Sequence, residues 1–263
     1  MSYTVRAIRA ELTKQRTVPA PTWLLAVTLV ALVGIGLAVV GTVDLEHCPP
    51  GGCPEDLARH SLTGTVVAQA LAALLGVLAV GDEYAHSLVG TTLVAVPRRG
   101  AVVLSKVAVT SLLVSAVAVT GVAGVYTIGR TMAPRSGFTT ANGYSPLDLS
   151  DPTIQRVFGG TVLYLLLVAI IGLGVALLVR ETAWATVAVL SMLYMIPVLT
   201  QFISDPSWER LLQRLSPSAG LAIQNTVVSA NPPLTPWAGL VVTAAYAAVL
   251  ATAGTLIFIH RDP

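Results

Sequence analysis

The chain has 263 residues, 54% of them hydrophobic and only 11% charged, with a mean hydropathy of +0.78. Those values argue against a soluble globular domain and for an integral membrane protein. A net charge of +2, with the basic residues scattered over several short loops, excludes nucleic acid as a partner.

Residues 2–16 set Val5, Ile8 and Leu12 on one helix face and Arg6, Arg9, Lys14 and Arg16 on another. That is the pattern of a helix lying in the membrane surface; a basic tail that only sets topology is the other reading. Six apolar stretches follow, at about 22–43, 61–81, 102–128, 157–179, 183–203 and 237–259. Each is close to the ~20 residues that a helix needs to cross a hydrocarbon core about 30 Å thick. They are continuously apolar, without the alternation of a lipid-facing strand, so the expected fold is all-α, six membrane helices in one domain over 1–263. The first stretch is longer than a signal-peptide core and no small-x-small site with a polar mature domain comes after it, so it reads as an uncleaved span.

With both termini inside, nine Lys and Arg residues fall on the cytoplasmic side: Arg6, Arg9, Lys14, Arg16, Arg98, Arg99, Lys106, Arg180 and Arg261. Six fall outside, Arg59, Arg130, Arg135, Arg156, Arg210 and Arg214, in longer loops that also hold eight acids. The bias favours a multi-pass plasma-membrane protein with cytoplasmic termini. In the first outer loop Cys48 and Cys53 enclose Pro-Pro-Gly-Gly, and an oxidising compartment would let them pair. Two free thiols are the alternative; a metal site with His47 and His60 matches no zinc spacing.

Between the second and third stretches lies the segment 82–100, DEYAHSLVGTTLVAVPRRG. Asp82 and Glu83 suit a helix N-terminus, Arg98 and Arg99 a C-terminus, and Pro97 a stop. The expectation is one surface helix of about 14 residues, some 20 Å long, with Ala85, Leu88, Val89, Thr92 and Val96 toward the membrane. Glu83, His86, Ser87, Gly90 and Thr91 would then face the cytoplasm. The outer loop at 130–156 is turn-rich, and could be a lid, a partner surface or a linker. The fifth stretch gathers Ser191, Met192, Tyr194, Met195, Thr200 and Gln201 around Pro197, an adaptable and mostly apolar surface that Tyr164 of the fourth joins. Plain helix packing would use the same residues. Segment 207–224 sets Trp208, Leu211, Leu212 and Leu215 at helical spacing ahead of Pro217.

No ionisable residue is expected at mid-membrane depth, which weighs against a proton-driven carrier, a pump or a charged-ring channel. The nearest approach to a phosphate loop, GAVVLSKV at 100–107, lacks the second glycine and the final Ser or Thr. No metalloprotease or serine-hydrolase motif occurs, no metal cluster is expected, and His86 beside Glu83 is the one pair that hints at acid–base chemistry. The chain therefore reads as a non-enzyme without cofactors of its own.

The order Glu83, Gly90-Thr91, Pro97, Arg98-Arg99 and Lys106, between the second and third of six spans, resembles the permease subunits of the type-2 ABC exporter family. The resemblance implies that Glu83, His86, Gly90, Thr91, Pro97, Arg98 and Arg99 belong to a coupling helix seated on a separate ATPase subunit, which would hold the ATP and Mg. It implies that residues 2–16 form an elbow helix, that 207–224 are an outer re-entrant segment, and that the cargo is lipophilic or amphipathic: a drug, antibiotic, peptide or lipid. It also implies a second permease half, most simply another copy of this chain, for which Gly34 with Ala38 or Thr120 with Gly124 offers small-residue contact. An ion-coupled carrier, or a membrane-embedded enzyme or accessory subunit, is the alternative.

Overall fold

A computed structural model describes residues 3–42, 56–86, 88–95, 98–139, 147–227 and 234–260. The expected Cys48–Cys53 pair, Pro97 and the middle of the 130–156 loop lie outside the described residues. Among the described residues the chain is helical, with no strand. In order the helices are α1 (Tyr3–Thr17), α2 (Pro19–Thr42), α3 (Leu57–Ser61), α4 (Thr65–Ala85) and α5 (Val89–Ala95). They continue as α6 (Arg99–Met132), α7 (Pro152–Val179), α8 (Thr182–Thr200), α9 (Pro206–Leu215) and α10 (Pro236–His260), with tighter 3-10 turns at Ala133–Ser136 and Pro217–Gln224. Six of these, α2, α4, α6, α7, α8 and α10, are long and apolar enough to cross a bilayer, as the sequence led us to expect.

Local signals explain several boundaries. Asp151 caps α7 by accepting from the Thr153 amide at 2.7 Å, and Pro152 fills the first helical position, where its missing N–H costs nothing. At the far end of α7 Arg180 takes the left-handed conformation, φ 61°, and stops the helix. Glu181 then caps α8 through the amides of Ala183 and Trp184, at 3.3 and 3.1 Å. Asp205 caps α9 in the same way through Ser207.

Helix α7 is the centre of the bundle, buried on nearly every side along its length. Its contact with α4 is backbone to backbone. A Cβ on Gly76 would lie 2.0 Å from the Ala169 carbonyl oxygen, and one on Gly172 would lie 2.1 Å from that of Ala73. Helices come this close in lipid through small residues, since water supplies no hydrophobic drive there. Helices α2, α8 and α10 form the periphery, with Trp23, Val30, Trp184, Val187, Val241 and Val249 exposed, as suits surfaces solvated by lipid tails.

Successive spans run in opposite directions, so α1, the end of α4, the start of α6 and the ends of α7 and α10 meet at one end of the bundle. Two arginines tie them together there. Arg99 at the start of α6 donates to the Phe258 and Ile259 carbonyls of α10, at 3.3 and 3.2 Å, and Arg180 donates to Ile257 at 3.3 Å. Those carbonyls belong to the last turn of α10, and a cation suits the negative end of its dipole. The Arg180 guanidinium also lies over the Tyr84 ring, 5.9 Å from its centre.

Candidate functional site

The connection between α4 and α6 departs from the expected single surface helix. Helix α4 runs on through Asp82 and Glu83 to Ala85 and closes with the Leu88 amide on the Glu83 carbonyl, at 2.8 Å, and the His86 amide on that of Asp82, at 3.2 Å. The short helix α5 follows separately. Asp82 and Glu83 therefore end a span instead of opening a surface helix; hydropathy alone stops at Gly81, but the helix does not.

Glu83 does not face solvent. It is buried, and its Oε1 accepts from Lys106 Nζ at 2.7 Å and from Lys14 Nζ at 3.1 Å. Lys106, assigned by sequence to the cytoplasmic set, sits in the second turn of α6, roughly 10 Å along its axis. It is 3% exposed, and its other two hydrogens reach Glu11 Oε2 of α1 at 3.3 Å and the Ala79 carbonyl at 2.8 Å. All three donors of the ammonium thus have acceptors. Gln15 completes the arrangement, donating to Glu11 Oε1 at 3.4 Å. Two acids and two lysines make a neutral cluster, the condition under which buried charge is tolerated.

This cluster changes the reading of α1. The stripe packed on the bundle is Ala7, Glu11 and Gln15, not the apolar one: Val5 is exposed, and Ile8 and Leu12 are half-buried. Arg9 and Arg16 are exposed. The helix presents three stripes in turn around its axis: a polar docking stripe, an apolar stripe for lipid and a basic stripe.

Of the other residues expected to act in coupling, His86 is exposed at the end of α4, with Nδ1 2.9 Å from the Asp82 carbonyl. Gly90 and Thr91 are exposed on α5, and a Cβ on Gly90 would meet nothing within 4 Å. Arg98 is exposed and extended just before α6. Arg99 spends its guanidinium on α10, as described above. Among the described side chains the exposed part of the connection thus includes His86, Gly90, Thr91, Val94 and Arg98, and its two flanking helices are pinned to each other below it.

The residues expected to line a cavity divide into two groups. Tyr164 is fully buried between α4 and α7, where its hydroxyl donates to Gln69 Oε1. Tyr194 donates to the Val66 carbonyl and lies within reach of the same glutamine. Met192 is half-buried against the hydrophobic core. Ser191, Met195 and Gln201 face outward on α8, as does Pro197. Gln69 was missed by sequence; the signal was a single amide in an otherwise apolar span.

At the opposite end of the bundle the segment Pro217–Gln224 turns back between α7 and α10. Gln224 Nε2 reaches Thr65 and Thr161 hydroxyls at 2.9 and 3.2 Å, and the Gly220 amide donates to Thr243 Oγ1 at 3.1 Å. Gly220 is required there, since a Cβ would lie 2.5 Å from the Tyr164 ring. The amphipathic α9 before it leaves Trp208, Leu211 and Leu215 exposed. Asp56, which caps α3, also accepts from the Thr226 hydroxyl at 2.7 Å and from the Thr226 and Val227 amides. Burial alone would raise its carboxyl; the Thr226, Arg59 and Val227 donors outweigh that and hold it below the ordinary range.

No protein-family model matches this chain, and a search of the curated proteins found no match either.

Proposed function

We propose that this chain is the membrane permease subunit of a type-2 ABC exporter, a gate worked by an ATPase on a separate subunit. The observation that carries the reading is α5: a short exposed helix at the end of the bundle that holds α1, set between two spans. Such an element gives a soluble partner a handle on the spans without a site of its own for nucleotide. In this reading both termini are cytoplasmic, and His86, Gly90, Thr91 and Arg98 meet the ATPase, with Arg99 acting from behind as the brace to α10. The exposed face of α8, with Ser191, Met195 and Gln201, is turned to a second copy of the chain and to a lipophilic or amphipathic cargo. The cargo must bind the inward and outward states with different affinity, or hydrolysis would move nothing.

Gly90→Trp tests the handle. A Cβ at Gly90 meets nothing within 4 Å, so the variant is expected to melt like the parent while chain-dependent ATP hydrolysis falls at least about tenfold. Unchanged hydrolysis would remove α5 from the contact.

One observation favours an ion-coupled carrier: Glu11, Glu83 and Lys106 are ionisable side chains buried within the chain. Against it, every donor of Lys106 already has an acceptor inside the protein. Transport that collapses with the membrane gradient and ignores ATP would select the carrier.

A further inference from the structure

We infer that Lys106 is a hub that makes α1, the end of α4 and the start of α6 move as one body, so that a displacement of α5 carries α1 with it. The inference stands on the geometry of the cluster and does not require the exporter reading.

Helix α5 hangs between two posts, the last turn of α4 and the first turns of α6. Glu83 on one post and Lys106 on the other are joined at 2.7 Å, buried, with Ala79 of α4 accepting from the same ammonium. The posts therefore cannot separate without stranding a charge, which is the costly event for a buried pair. The third hydrogen of Lys106 goes to Glu11, the one acid in α1. A second arm reaches the same helix directly, from Glu83 to Lys14. The docking stripe of α1 adds Ala7 and Gln15, whose amide donates to Glu11, with Ile8 and Leu12 half-buried at its edge. The ion pairs that join α1 to the posts meet at Lys106 and Glu83.

Downstream, α1 leads into the first span. Only Val18 separates α1 from Pro19, and the Val18 amide still donates to the Lys14 carbonyl at 3.0 Å, so the turn of α1 continues into the junction. The route runs from α5 through the posts to Lys106, Glu11 and α1.

The test is a distance distribution between spin labels at Thr13→Cys on α1 and Val94→Cys on α5, both exposed, with Cys48 and Cys53 replaced by Ser. The full-length protein is measured in lipid nanodiscs. The parent is expected to give one narrow distance. Glu11→Gln keeps the side-chain shape, removes only the charge on α1 and leaves the bundle's own Glu83–Lys106 pair in place. It should raise the undocked, broadly distributed fraction about tenfold, the scale of replacing a carboxylate acceptor by a neutral amide oxygen in one charge-assisted hydrogen bond. Lys106→Met should do the same or more. A broad distribution in the parent overturns the inference, and so does the same narrow distance in Glu11→Gln; should Lys106→Met fail to fold, Glu11→Gln decides alone.

Discussion

Replacing Lys106 by Met removes a cation and leaves its acceptors in place. At an effective dielectric of 20 each attraction of Lys106, to Glu83 at 2.7 Å and to Glu11 at 3.3 Å, is worth about 5–6 kcal/mol before solvation is counted. Bringing the ions out of water costs several kcal/mol per ion, so the intact cluster contributes little net stability. The variant keeps that desolvation and loses the attraction. Glu11 and Glu83 face each other without their common cation, and the Ala79 carbonyl loses its donor. Breaking one partner of a buried pair costs about 3–5 kcal/mol, which in a chain of this size lowers the melting temperature by roughly 6–20 °C. The assay is thermal unfolding in detergent, followed by circular dichroism. The triple variant Lys106→Met/Glu11→Gln/Glu83→Gln strands no buried carboxylate, leaves only Lys14, whose side chain is part-exposed and can turn to water, and is expected to recover most of the loss. A single variant that melts within about 2 °C of the parent would refute the reasoning, and so would a triple variant that melts no higher than the single.

Other parts of the structure give sharper local predictions. Tyr164→Phe leaves the buried Gln69 oxygen without its donor and should cost about 1–3 kcal/mol by denaturant or thermal titration; a neutral result would mean the amide has turned to another donor. Gly172→Leu drives a side chain into the Ala73 carbonyl of α4, so the protein should fail to accumulate or melt far below the parent, whereas leucine at Gly159, where a Cβ meets nothing within 4 Å, should be tolerated. Asp56 contributes stability through a lowered carboxyl value. Its share is present above the unfolded value near pH 3.9 and is lost as pH falls through the lower folded one. Melting curves taken from pH 6 down to pH 3 should therefore lose less in Asp56→Asn than in the parent, and parallel loss in both would dismiss the role.

Six spans were legible because a helix in lipid must be apolar along its length, a requirement that leaves a plain mark on the sequence. The charged cluster left a fainter one. Lys106 stands among Val and Ala of an apolar stretch and reads as one of the cytoplasmic set, and Glu11, the lone acid of a basic helix, draws no reading at all, because a single residue shows its charge and not its partner. The same blindness misplaced the start of the surface helix. Glu83 counts as polar in any hydropathy profile, yet once Lys106 neutralises it α4 gains another turn. The docking face of α1 was not legible for a related reason: amphipathicity identifies an apolar stripe, but in a membrane that stripe can be solvated by lipid while the polar stripe seeks the protein. Tyr164 and Gln69 lie 95 residues apart, and no local pattern reports such a pairing.

The most direct test of the central claim is purification of the chain with its native partners, followed by reconstitution into liposomes. Co-isolation of a soluble ATPase whose hydrolysis depends on this chain, and is lost in Gly90→Trp, is the expected result. Accumulation of a solute against its gradient by the chain alone, driven by an ion gradient and indifferent to ATP, would contradict it.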